Sequence, residues 1–398
     1  MNSKCSDKGF CEFFAGIGLV WQALRVSGWD CMYSNDIDPK KKAVFEAHFG
    51  ATGHFHLGDI WGTKEVVARI EGSPFLATAS FPCTDLSLAG YGKGIEGKAS
   101  STYFGFLKVL KQLGPRKPNM VMLENVPSFL TSGGGKDFPL AMRALADLGY
   151  WIDAFIIDAK HFVPQSRPRL FVVAVHEQFD SPLMIRESKL PLYSGPWRDA
   201  MEASGSLHPK ALLKIMESTD LPTGWFTLSL KSPKGTSGTL DEVIDLDGAQ
   251  KWWDEERVRI HYERMHDYCR ADIDKLLKDG SKFVSTAYRR TRKSVVRTEV
   301  RFDGLAGCLR TTKGGSARQI VVAVDNGKLR MRWMSPREYA RLQGVPNYTL
   351  IGKEEHQQMF GFGDAVCVPV IEWIDQQVLS PIYQTGNRIG AAEEALAM

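Results

Sequence analysis

Short apolar runs alternate with amphipathic stretches along the first half of the chain. The runs fall at residues 10–15, 31–34, 75–80, 119–123, 152–157 and 170–175. Between them, residues 20–26, 40–48, 104–113 and 140–148 carry apolar side chains at helical spacing. Continuous apolar strands need cover on both faces, so the alternation predicts an α/β fold, a mainly parallel sheet with helices on both sides. Ligands in such sheets sit beyond the carboxyl ends of the strands, and chemistry is therefore sought just after each run. From about Glu177 to Phe302 the rhythm is lost in a mixture of Pro, Gly, Ser, Trp and charge. Order returns at residues 320–324, in a helical stretch at 335–343 and in a last one at 366–377. The pattern predicts a first domain at 1–180 and 305–398, interrupted by a smaller irregular domain at 181–304.

Composition narrows the class. With 43% hydrophobic and 24% charged residues over 398 positions, disorder, collagen and coiled coil are poor descriptions. No apolar run approaches the ~18 residues of a membrane span. The polar start, 1–10, has no apolar signal core, which predicts a cytoplasmic protein. The seven cysteines (Cys5, Cys11, Cys31, Cys83, Cys269, Cys308, Cys367) are odd in number and form no CxxC pair. That argues against a disulfide framework or a zinc site and suits a reducing compartment. A net charge of +4 decides nothing by itself. Within 285–301, however, Arg289, Arg290, Arg292, Lys293, Arg297 and Arg301 face the single acid Glu299, a cluster that reads either as a solvated basic face or as the footprint of a polyanionic partner.

Candidate chemistry follows the strands. The first ends in Phe14-Ala15-Gly16-Ile17-Gly18 and enters a helix, where glycine lets a ligand approach the backbone. A dinucleotide fingerprint wants a further glycine where Trp21 stands, so a nicotinamide cofactor is disfavoured. Asp36, at the end of the second run, can accept hydrogen bonds from ribose hydroxyls. Cys83 follows the run at 75–80 and precedes a glycine-rich stretch that reads as a mobile loop. An unperturbed thiol is only about 3% thiolate at neutral pH, so a nucleophile there needs positive surroundings. Glu124 closes the next strand. Gln165, Arg167 and Arg169 alternate, which in an extended chain puts three polar groups on one face, costly unless each is paired.

In this order the segments resemble the DNA cytosine-5 methyltransferase family. The resemblance rests on Phe14-Ala15-Gly16-Ile17-Gly18, Pro82-Cys83, Glu124-Asn125-Val126, Gln165-x-Arg167-x-Arg169, Arg337-Glu338-x-x-Arg341-Leu342-Gln343-Gly344 and Gly363-Asp364-Ala365-Val366. It covers about 10–176 and 305–380 and leaves the middle unmatched. It implies a Rossmann-like S-adenosylmethionine-dependent methyltransferase sheet plus a smaller DNA-recognition domain. Cys83 would be the nucleophile, Glu124 would hold the cytosine edge and Arg167 would contact the base, with Asn125, Gln165 and Arg169 bracing them. Phe14, Gly16, Ile17, Gly18, Asp36, Ile37, Asp59, Ile60, Pro82, Asp364, Ala365 and Val366 would form the cofactor site. Ser87, Arg289, Arg290, Arg292 and Lys293 would contact DNA. Thr84, Ile37 and Asp364 stand where the family usually has Gln, Trp and Asn.

The expected reaction calls for such a set of groups. Carbon 5 of cytosine is a poor nucleophile until a thiolate adds to carbon 6 and makes it enamine-like. An acid near N3 and a cation near the carbonyl oxygen stabilise the charge that develops. The base must also leave the duplex, because its faces are stacked inside. The expected partner is double-stranded DNA, bound by a monomer with no membrane attachment; a cognate restriction endonuclease, if any, would be a separate protein. An RNA cytosine-5 methyltransferase, a silent DNA-binding relative and a nicotinamide oxidoreductase are the competing readings.

Overall fold

The computed structural model describes residues 8–82, 95, 97, 101–188, 195–235, 238–247, 251–292, 294–311 and 317–388. Its larger sheet starts with β1 (Gly9–Phe13), β2 (Asp30–Asp36), β3 (Phe55–Leu57), β4 (Leu76–Ala79), β5 (Met120–Asn125), β6 (Tyr150–Asp158) and β7 (Pro168–His176). After a two-residue strand, β8 (Phe179–Asp180), it is completed by β9 (Ile185–Glu187) and β10 (Trp225–Thr227). The spatial order is β3-β2-β1-β4-β5-β7-β6-β10-β9. Helices α1 (Leu19–Leu24), α2 (Pro39–Phe49), α3 (Thr63–Arg69), α4 (Thr102–Leu113) and α5 (Asp137–Ala146) connect the early strands.

Alternation along each strand builds two cores. Met120 and Met122 of β5 face one, with Phe10 and Leu76; Val121 and Leu123 face the other, with Phe13 and Ala77. Both faces of the sheet are thus covered, which is why the strands read as unbroken apolar runs. Every predicted run forms a strand, and the four helical patterns form α1, α2, α4 and α5. The pattern held no sign of β3 or α3: β3 has three residues, and α3 buries only Thr63 and Val66.

Three differences from the sequence reading have physical causes. The sheet is mixed, because β7 runs antiparallel to both β5 and β6. The connection at 159–167 is too short for a crossover helix, so β6 and β7 pair as neighbours in opposite directions. The middle segment is more regular than expected. Its strands β9 and β10 extend the larger sheet, and helices α6 (Pro196–Ala203), α7 (Lys210–Ser218) and α8 (Leu240–Val243) precede α9 (Glu255–Glu263) and α10 (Asp267–Asp279). A hairpin follows, β11 (Phe283–Arg292) and β12 (Val295–Val300). Finally, residues 320–324, expected with the returning first domain, belong to β13 (Ile320–Asp325), which pairs with β11 and with β14 (Lys328–Trp333). The result is an antiparallel sheet ordered β12-β11-β13-β14. Val321 packs in the main core while Ile320, Val322 and Val324 pack under α10, so β13 is apolar on both faces and reads like a strand of the first sheet.

The remaining chain returns to the larger sheet through α11 (Pro336–Leu342), α12 (Glu355–Gln358), α13 (Val368–Ile374) and α14 (Ser380–Thr385). Ser335 and Glu338 form a reciprocal capping box at α11, as Ser-x-x-Glu predicts. The same Glu338 takes both Nη atoms of buried Arg332 at 2.6 and 2.9 Å, tying the small sheet to α11. Asp375, fully buried, accepts from Trp29 Nε1 at 2.7 Å and so anchors the C-terminal helices beside α1. The last described strand, β15 (Asn387–Arg388), pairs with β8. Among the described residues no helix is long and apolar enough to cross a membrane.

Candidate active site

The carboxyl ends of β1, β2, β4 and β5 open on one cleft of about 480 Å³. It lies where strand order reverses between β1 and β4, the place at which open α/β sheets hold ligands. Phe14, Gly16, Asp36, Ile37, Asp59, Ile60, Pro82, Asp364, Ala365 and Val366 all line it, together with Glu124, Asn125 and Arg169. The turn after β1 is tight. Phe14 adopts a left-handed backbone (φ 56°), and the Gly16 amide donates to Asp36 Oδ2 at 2.9 Å. A non-glycine residue in that region costs of order 1–3 kcal/mol, a strain characteristic of ligand turns. Asp36 also accepts from the Asp38 amide at 2.9 Å, which fixes its carboxylate at the cleft wall.

Ile17 and Gly18, expected among the cofactor residues, do not line the cleft. Ile17 is buried, and its carbonyl accepts from Tyr348 Oη at 2.6 Å. A Cβ on Gly18 would stand 2.7 Å from the rings of Phe45 and Phe49, so glycine there makes room for aromatic packing around Trp21. The sequence reading also passed over Glu12. This acid lies inside the apolar run of β1, buried at the cleft floor, and among the described residues its Oε2 has no hydrogen-bond partner. Burial pushes its carboxyl up to about 8, against the opposing pull of the Trp21 and Val20 amides; nearby Asp36 adds to the rise. A charged residue interrupting a wholly buried strand was the available signal.

At the other end of the cleft, Glu124 closes β5 and Arg169 opens the antiparallel β7, which brings both to the same edge. Arg169 Nε lies 2.9 Å from Glu124 Oε1 in a largely buried ion pair. Arg167 is placed differently from its expected role at the base. It is 2% exposed, and its Nη atoms donate to the carbonyls of Leu309, Gly363 and Ala365 at 3.1, 3.1 and 2.6 Å. Its guanidinium thus clamps the chain around the cleft, and Arg169 is the arginine beside the acid. Gln165 clamps the same region, donating to the Leu342 carbonyl at 2.7 Å and accepting from the Leu309 amide at 3.1 Å. Each of the three alternating polar side chains thus has partners, as burial demands, though among the described residues none reaches Arg167 Nε. Asn125 donates to the Phe81 carbonyl at 3.2 Å, holding the end of β4 against β5. Cys83, which follows β4, and Ser87 lie outside the described residues.

Cys308, from the strap between the two sheets, sits against both arginines, 3.3 Å from Arg167 Nη1 and 3.6 Å from Arg169 Nη2. Burial raises its thiol, but the two guanidinium groups outweigh that and leave it below the ordinary value. Its carbonyl accepts from Tyr288 Oη of β11, so the small sheet is bonded directly to the arginine cluster.

The basic strand divides its charge between two faces. Arg289 stacks on Trp333 at 5.1 Å on the side of α9, where Arg257 and Arg264 gather around buried His261. Burial and those three arginines hold His261 down to about 4, keeping it neutral. Arg290 lies over Tyr288, toward the strap and cleft, and pairs with Glu299 at 3.2 Å. Arg292 ends β11, and Lys293 lies outside the described residues.

A family model described as C-5 cytosine-specific DNA methylase matches residues 9–380. The chain is similar to the Type II methyltransferase M.MspI of Moraxella sp, 33% identical over 186 residues, or 45% of this chain and 43% of that protein. The stretch matched is thus under half the length of M.MspI. A longer similarity joins it to the Type II methyltransferase M.HpaII of Haemophilus parainfluenzae, 24% identical over 397 residues, 94% of this chain and 89% of the other. Among solved structures, the S. pombe Dnmt2 methyltransferase shares the fold, with a TM-score of 0.54 and 16% identity over 94% of this chain and 99% of that one.

Proposed function

Because this chain belongs to the C-5 cytosine-specific DNA methylase family, we propose that it methylates carbon 5 of a cytosine flipped out of a specific duplex site, through a covalent adduct on Cys83. The observation that carries this reading is the Glu124–Arg169 pair set at the same cleft as Asp36 and Glu12, beside the strand that leads into Cys83. Cys83 adds to carbon 6. The Glu124 carboxyl group takes the N3 edge of the base, and Arg169, in the role expected of Arg167, faces the carbonyl oxygen. Arg167 and Gln165 hold the surrounding chain rigid. Once carbon 5 carries the new methyl group, loss of its proton returns the electron pair that breaks the bond from carbon 6 to sulfur and frees the Cys83 thiolate.

The residues of the cleft suit S-adenosylmethionine. Glu12 offers an orphaned carboxylate oxygen to a cationic group, and Asp36, held at the cleft wall by the Gly16 and Asp38 amides, has further lone pairs that could accept from a ribose diol. When bound, this cofactor supplies an electrophilic methyl group on a sulfonium centre. Asp36, Asp364, Ile37 and Phe14 would hold it, and Glu12 would balance its positive charge. The test is transfer of radiolabelled methyl from the cofactor to duplex DNA, followed by bisulfite sequencing. Label in cytosine at one recurrent sequence supports the proposal; label in tRNA alone would overturn the choice of substrate. The Type II relatives support the further reading that this is a modification enzyme whose restriction endonuclease is a separate protein.

The buried acid makes the cleft sensitive to pH. Between about 4.5 and about 8, folded protein without cofactor keeps the Glu12 proton that unfolded protein has lost. Stability therefore falls as pH rises through that window, and a cation bound at the cleft releases the proton. Calorimetry in buffers of different ionisation enthalpy should show proton release on cofactor binding at pH 7 that is absent in Glu12→Gln. Equal release in both proteins would clear Glu12 of the role. On the DNA side, neutralising Arg289, Arg290, Arg292 and Lys293 together should weaken duplex binding. The slope of log affinity against log salt should fall by about 0.9 for each phosphate no longer neutralised. An unchanged slope would make the strand a solvated face.

A further inference from the structure

Lys41 occupies an unusual place. It is in the first turn of α2, where the helix dipole favours anions, and that turn contains no acid. Its ammonium lies 3.6 Å from Asp364 Oδ2 and 3.9 Å from Asp36 Oδ2, and all three residues line the cofactor cleft. Asp36 belongs to the wall after β2, while Asp364 belongs to the segment that closes the cleft from the far end of the chain. Asp364 Oδ1 also accepts from Thr311 Oγ1. Gly363 lies directly against the strap from the small sheet, since a Cβ there would collide with the Arg310 carbonyl carbon. One cation therefore stands between two acids on opposite walls, and the chain Lys41–Asp364–Thr311 joins α2 to the strap.

We propose that Lys41 is a positioning residue for the cofactor, holding the closing segment against the Asp36 wall. This rests on the proposed cofactor reading and explains the charge at Asp364, where the resembled family usually carries a neutral Asn. Two carboxylates across a narrow cleft repel each other, and the repulsion opens the wall. Lys41 reverses its sign. The pair lies partly in water, so salt screens it and the expected effect is modest.

The test is a double-mutant cycle on Lys41→Met and Asp364→Asn, read by calorimetric binding of S-adenosylmethionine and of S-adenosylhomocysteine to the full chain. Lys41→Met should weaken both ligands about fivefold in the wild-type background and less than twofold in the Asp364→Asn background, because the repulsion it unmasks is then gone. Lys41→Arg should bind within twofold of wild type, which separates lost charge from damaged folding. Equal losses in the two backgrounds, or none in either, would overturn the proposal. Failure of the wild-type protein to bind either ligand would instead sink the cofactor reading itself.

Discussion

A duplex carrying 5-fluorocytosine at the target position is expected to leave this protein covalently joined to DNA through Cys83, the nucleophile proposed above. By the proposed mechanism the thiolate would add to carbon 6, and methyl transfer to carbon 5 would proceed as it does with hydrogen. Release then requires carbon 5 to give up its second substituent as a cation. A proton can leave this way and fluorine cannot, so elimination of the cysteine is blocked. The adduct should survive denaturing electrophoresis, require S-adenosylmethionine, and map to the peptide containing Cys83. Cys83→Ala should form none and should methylate normal duplex at no measurable rate, while still binding DNA through groups other than the thiol. An enzyme that methylates ordinary duplex yet gives no stable adduct with the fluorinated one would refute the covalent route.

Glu124→Gln is expected to lower the single-turnover methylation rate by about 10²-fold or more, the range for removing a positioned acid or base. The substituted amide keeps the shape of the side chain but can neither ionise nor supply a proton to N3. It also ends the ion pair with Arg169, which lies 2.9 Å away. Cofactor affinity should change little, since the cofactor contacts proposed above come from other strands. Arg169→Met should fall in the same range, as a lost cation at the developing charge does. Arg167→Met should act differently. Its guanidinium ties together three backbone carbonyls, and removing it takes a donor from each, so the loss should show in thermal stability before it shows in rate. If Arg167→Met proves fully stable and yet as slow as Glu124→Gln, the two arginines have been assigned in the wrong order.

The apolar runs determined most of the first domain. A strand buried on both faces is apolar along most of its length, and β1, β2, β4, β5, β6 and β7 were legible for that reason. The motif order also placed Glu124, Asp36 and Phe14 near one another, because the carboxyl ends of neighbouring strands share an edge. The sequence could not say which sheet β13 joins, since an apolar run carries no address. Nor could it rank Arg167 against Arg169. Alternation puts them on one face only in a continuous strand, and β7 begins at Pro168, after the first of them. Their roles were decided by what each guanidinium met: carbonyls brought in from 309, 363 and 365 for one, and Glu124 for the other. Glu12 and Lys41 depended still more on the tertiary structure. A single acid or lysine has no local pattern, and its electrostatics come from groups far away in the chain. Local periodicity fixes burial, so the sequence could specify the strands and the identity of the candidate chemistry. Long-range packing fixes charge neighbours, and only the folded chain could decide which charges meet.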